Sequence, residues 1–147
     1  MNNIDKLMAI EEIKQLKARY FRGVDSKDWA LYRSVFADNA HVDISEDMPN
    51  GVFDEADLAV DAARNGLRGC QSVHHGHCPE IEITSDNSAK GIWAMEDMLF
   101  WSDDSDFPGQ KLHGMGHYYE TYEKTAGRWV IKTMKLARLK VNVTTGG

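Results

Sequence analysis

The first 25 residues carry an apolar stripe at helical spacing. Ile13, Leu16, Lys17, Tyr20, Phe21 and Val24 fall at offsets 0, 3, 4, 7, 8 and 11, which is one face of a helix. The helix is expected to start near Asn3 or Asp5 and to end around Val24 and Asp25. Lys17 is the only charged member of the stripe, and its aliphatic stem can cover apolar surface. Asp28 is placed to cap a second, short helix from Trp29 to about Phe36, burying Trp29, Tyr32, Val35 and Phe36. Ala37, Asp38 and Asn39 read as a turn. Ala40, Val42 and Ile44 then alternate with polar residues, a short strand. After a loop ending at Gly51, Val52 and Phe53 form a strand fragment. Asp54 is expected to cap a third helix with Leu58, Ala59, Ala62 and Ala63 facing inward, ending near Gly66.

From Gly69 the period changes to two. Cys70 to His77 reads as a strand, and Glu80 to Thr84 as its continuation or the next one, with Ile81 and Ile83 half-buried. Ser85 to Ser88 is a turn. Ala89 to Trp101 is a long strand with Trp93, Met95, Asp97, Leu99 and Trp101 on one face and Ile92, Ala94, Met98 and Phe100 on the other. An acidic loop from Ser102 to Gln110 follows. Leu112 to Lys124 and Arg128 to Val143 form a hairpin across Thr125, Ala126 and Gly127, and the residues from Thr144 to Gly147 are expected to fray. Helices first and a bent antiparallel sheet second predict one α+β domain over residues 1–147, with the helices on one face. A curved sheet folded round a long helix makes a cone with an open apolar mouth, a common ligand site.

Composition narrows the classes. The chain has 147 residues, 42% of them hydrophobic, enough to bury a core without disulfide staples. Two cysteines, Cys70 and Cys78, suit a reducing compartment. No apolar segment of signal-peptide or membrane-span type stands out, so a cytoplasmic location is expected. The net charge of −6 argues against a nucleic-acid partner.

Candidate chemistry clusters at His74, His75 and His77, because imidazole titrates near neutral pH and serves as acid or base. His75 and His77 share a strand face, as do His113 and His117, and two such pairs are a formal zinc option. No Glu or Cys sits at a recognised ligand spacing, so no metal is expected. His75 and His77 should face away from His74, toward helix or solvent.

Three local patterns occur in the order of these elements: Ile13 to Asp25 (IKQLKARYFRGVD), His74 to Ile81 (HHGHCPEI) and Gly91 to Asp97 (GIWAMED). With Tyr122-Glu123-Lys124 and Gly127-Arg128-Trp129, they resemble the SnoaL-like branch of the nuclear transport factor 2 (NTF2) superfamily, the cone-shaped α+β fold. Among characterised members the pattern is most similar to bile acid 7α-dehydratase, with lindane dehydrochlorinase and scytalone dehydratase as further relatives. The resemblance implies a cofactor-independent dehydratase acting on a hydrophobic, steroid-like hydroxy-ketone, in a homo-oligomer (dimer or trimer). An isomerase or polyketide cyclase using the same residues is the near alternative, and a non-catalytic ligand-binding module is the rival. Residue by residue, it implies that His74 is the acid/base, Asp25 its partner and Tyr20 a donor to the substrate. Asp97 and Arg138 would be polar pocket residues. Trp93, Met95, Leu99 and Tyr118 are the expected substrate-binding surface, in which aromatic and thioether side chains suit flat ligands. The second catalytic histidine of scytalone dehydratase has no counterpart near Leu99.

Overall fold

The computed structural model describes residues 1–146. The order is α1 (Asn3–Asp25), α2 (Trp29–Ser34), β1 (Phe36–Asp43), β2 (Val52–Phe53), α3 (Ala56–Gly66), β3 (Cys70–Ser85), β4 (Ser88–Trp101), β5 (Lys111–Thr125) and β6 (Arg128–Thr144). The strands form one open six-stranded sheet in the order β2-β1-β6-β5-β4-β3. It is antiparallel except where β1 runs parallel to β6. The helices lie on its inner face, and among the described residues none is long and apolar enough to cross a membrane.

The stripe of α1 is the keel of the core. Ile13, Leu16, Lys17, Tyr20 and Val24 are buried, and Asn2 caps the helix by accepting from the backbone N–H of Asp5. Lys17 covers apolar surface with its stem and is buried to its tip. Its ammonium does not reach water; it is fully buried and paired with Glu120 of β5 at 2.6 Å. Further along, Ala37, Asp38 and Asn39 belong to β1 rather than a turn. The register between β1 and β6 shifts between Phe36 and His41, which breaks the alternation that marks a strand. Asp54 does not cap α3. Glu55 occupies that position, and Asp54 instead bonds His41 across the sheet edge at 2.6 Å. In α3 the buried residues are Ala56, Ala59 and Val60, whereas Leu58 points to solvent. β6 extends through Thr144; Gly147 of the expected frayed tail lies outside the described residues.

β3 is an edge strand, and one irregularity within it sets both its faces. Cys78 has φ +44°, and the register to β4 shifts between His77 and Glu80. This bulge reverses the side-chain parity. Ser72, His74 and Gly76 face inward before it; Ile81 and Ile83 pack on the core after it. Pro79, which lacks an N–H, sits at the bulge on the edge, where proline is tolerated. At the β5–β6 turn Ala126 and Gly127 have φ +51° and +77°, the left-handed pair that a two-residue hairpin with native twist requires.

Candidate active site

Asp25 is the last residue of α1, and its carboxylate meets the repulsive end of the helix dipole. Three donors from β3 hold it there. Its Oδ1 accepts from His74 Nδ1 at 2.6 Å and from Ser72 Oγ at 2.9 Å. Its Oδ2 accepts the backbone N–H of His74 at 2.7 Å. A carboxylate only accepts, so Nδ1 carries a proton and Nε2 is the nitrogen free to exchange one. The His74 side chain is 12% exposed and that of Asp25 23%. The pair is shielded but reachable.

His74 Nε2 faces Asp97 Oδ2 at 3.8 Å, because His74 and Asp97 are direct cross-strand partners on the inner face of β3 and β4. Asp97 is buried and held bidentately by Arg138 of β6, at 2.7 and 2.9 Å. The same guanidinium binds Asp47, in the loop after β1, at 2.8 and 2.9 Å. Burial opposes the charge of Arg138, but the hydrogen bonds and charges of Asp97 and Asp47 outweigh it and raise its pKa further above the usual arginine range. Gly114 makes room for this pairing; a Cβ there would run into the Arg138 guanidinium and Asp97 Oδ1. Met95 and Leu99, the inward neighbours of Asp97 along β4, are buried beside it.

Tyr20, Tyr118 and Trp93 lie in a packed aromatic layer below the His74 group. The Tyr20 ring is enclosed by Phe21, Tyr32, Phe36 and Tyr118. Lys17 Nζ lies 3.6 Å from its centroid and 3.7 Å from that of Tyr118. Burial first, and the neighbouring phenols second, push the Tyr20 hydroxyl well above its ordinary range. Trp93 Nε1 donates to Tyr122 Oη at 2.9 Å, and Tyr122 donates to Glu120 at 2.6 Å, closing a chain that begins at Lys17. Tyr20, Trp93 and Tyr118 are buried in this aromatic layer, next to Met95 and Asp97 on the inner face of the sheet. A recess of about 920 Å³ opens elsewhere, on the outer side of the sheet among His41, Ile92, Tyr119 and Lys135, and contains none of the His74 group. Shape alone points there; the hydrogen-bonded Asp25–His74 pair makes the His74 group the candidate on chemical grounds.

Two participants were not anticipated. Ser72 stands two residues before His74, so strand periodicity puts it on the same face. Asp47 arrives from a loop, and no local pattern signals it. His75 and His77 are exposed on the outer face, opposite to His74.

Comparisons with known proteins agree with this architecture. A candidate cyclase of Gibberella zeae is 24% identical over 138 residues, covering 86% of this chain and 89% of its own. The hexachlorocyclohexane dehydrochlorinase LinA-type3 of Novosphingobium barchaimii superposes with a TM-score of 0.83 at 19% identity, covering 99% of this chain and 97% of that one. A protein of Novosphingobium aromaticivorans described as a candidate scytalone dehydratase gives 0.82 at 17% identity, covering 96% and 91%. At these identities the structures establish the shared fold. Residues 5–135 match the SnoaL-like domain, and with an open six-stranded sheet wrapped on its N-terminal helices the chain belongs to that family.

Proposed function

We propose that the protein is a cofactor-independent lyase that eliminates water from a hydrophobic, steroid-like hydroxy-ketone, with His74 as acid and base and Asp25 as its orienting partner. The 2.6 Å bond between Asp25 and His74 Nδ1, at a shielded but open position, carries this reading. Nε2 takes a proton made acidic by the carbonyl of the substrate, and the C–H electrons move into an enolate. The imidazolium so formed is stabilised by Asp25 and by Asp97. Asp25, Asp97 and Asp47 supply three negative charges against one on Arg138, so a positive ring relieves a net negative group. The enolate then collapses and expels the hydroxyl, which takes the proton back from Nε2 and leaves as water. The ring returns to its starting state, and atoms and charge balance.

Arg138 spends its donors on two carboxylates, so it positions Asp97 rather than binding substrate. Aldol-type cyclisation begins with the same proton removal, and the likeness to a candidate cyclase keeps that reaction as the second reading. Exposed apolar residues on the outer side of the sheet, Val73, Phe100 and Tyr119, support self-association as a dimer or trimer.

The test is ultraviolet absorbance of a 7α-hydroxy-3-oxo-Δ4 steroid with the protein, beside His74→Ala. A growing dienone band, lost in the variant, is expected. Equal conversion by both proteins would remove His74 from the mechanism. No conversion by either would remove this substrate.

A further inference from the structure

The outer face of the sheet, behind the His74 group, carries a second set of histidines. His75 on β3 is the direct cross-strand partner of Glu96 on β4. His77 lies two residues further along the same face, and its ring is 5.9 Å from that of His75. From the other side, His113 of β5 reaches Glu96, Nε2 to Oε2, at 2.6 Å. Donor atoms of His75, His77 and Glu96 all lie within 4.8 Å of one another. His75, His77 and His113 are exposed and Glu96 is partly so. The electrostatics are consistent: a hydrogen bond from His113 first, and the charges of His113, His75 and His77 after it, lower the pKa of Glu96.

We propose that His75, His77 and Glu96, with His113 in support, form a binding site for a divalent transition metal of the zinc class. Two or three imidazoles and a carboxylate are the donor set that borderline cations prefer, and they are poor ligands for magnesium or calcium. Zinc–ligand bonds of about 2.0–2.1 Å put tetrahedral donors about 3.3 Å apart. The side chains must close in from separations of up to 4.8 Å. Exposed rotamers on a rigid sheet can do this without moving the backbone. His113 either enters as the fourth ligand or keeps its bond to Glu96 and orients it, as outer partners of metal ligands commonly do. The remaining position stays open to water. The register makes the site: His75 and Glu96 meet only because β3 and β4 pair as they do, and His113 reaches them diagonally from β5.

The experiment is titration of the metal-stripped full-length protein with zinc, followed by competition with a chromophoric chelator, and with cobalt, followed by its ligand-field absorption. Saturable binding of one zinc per chain is expected, weakened by about tenfold or more in each of His75→Ala, His77→Ala and Glu96→Gln. Binding is expected to be unchanged in His74→Ala, which separates this site from the acid–base pair. Intense visible cobalt bands, lost in His75→Ala, would mark ligation by these side chains, and zinc should raise the Tm of the parent but not of His75→Ala. Absence of saturable binding to the parent overturns the proposal. So does zinc binding that is lost in His74→Ala and retained in His75→Ala.

Discussion

Replacing Asp25 by asparagine tests the acid–base pair most directly. The variant keeps the size and shape of the side chain but removes its charge and one acceptor. In the parent, Asp25 accepts His74 Nδ1 at 2.6 Å. A hydrogen bond to a charged group contributes about 1.5–3 kcal/mol. When Nε2 takes a proton, the two charges stand about 4 Å apart, an attraction of about 4 kcal/mol at an effective dielectric of about 20. Both side chains retain some exposure, 12% and 23%, so water screens part of this. A loss of about 3 kcal/mol in the transition state is the reasoned value, a fall in kcat/KM of about 150-fold. The assay is initial-rate dienone formation, with circular dichroism to confirm folding. Ser72→Ala is the control, because it removes one bond to Asp25 and leaves the charge; about 1 kcal/mol, or about fivefold, is expected. A folded Asp25→Asn protein within about threefold of the parent would refute the orienting role. Equal losses in both variants would mean that the end of α1 is merely displaced.

Lys17→Met should cost several kcal/mol, of the order of 3–5, because it leaves Glu120 buried without its partner, whereas Lys17→Met combined with Glu120→Leu should recover much of that in chemical denaturation. Stability should rise with pH from about 8 toward 10, because desolvation lowers Lys17 from 10.5 to about 8, so in that window the unfolded chain holds a proton that the folded one lacks. Above pH 10 stability should fall, because burial raises Tyr32 from 10.0 to about 12 and raises Tyr20 and Tyr118 as well, so the folded chain holds protons that the unfolded one releases; urea midpoints across pH 7–12 read both limbs, and a flat profile would count against the buried placement. Gly114→Ala should separate Asp97 from Arg138 and lower both Tm and activity, while Gly66→Ala, where a Cβ meets nothing within 4 Å, should leave both unchanged.

Periodicity tells which face a residue occupies but not which residue waits across the sheet. The α1 stripe is therefore legible, and so is the inward run Trp93, Met95, Asp97 and Leu99 on β4. The fate of Lys17 is not, because Glu120 lies 103 positions away and a lone charged residue on an apolar face reads the same whether it reaches water or a partner. α3 shows the same limit at short range. Leu58 and Val60 are both apolar, and only packing against β1 decides which is buried. Asp25 and His74 were legible together through family resemblance; the spacing of 49 residues carries no signal of its own. The inward face of Tyr20 is legible, but periodicity does not say whether an inward tyrosine lines a pocket or fills a core; its ring packs on Phe21, Tyr32, Phe36 and Tyr118.

The adjacency of His74 and His75 ties the two faces of the sheet together. On consecutive residues of one strand, one side chain enters the acid–base group and the other the outer cluster. Their cross-strand partners are consecutive too, Asp97 for His74 and Glu96 for His75. A slip of one residue between β3 and β4 would exchange faces and dismantle both groups at once. This stretch needs its register held, because β3 is an edge strand, paired on one side only, and a bulge at Cys78 interrupts it. Asp25 pins it from the inside, through the backbone N–H of His74 as well as the ring. A cation bridging His75 to Glu96 would pin it from the outside, one residue away. On the proposal made above, zinc should therefore slow amide exchange at His74 and His75 in the parent and leave it unchanged in Glu96→Gln.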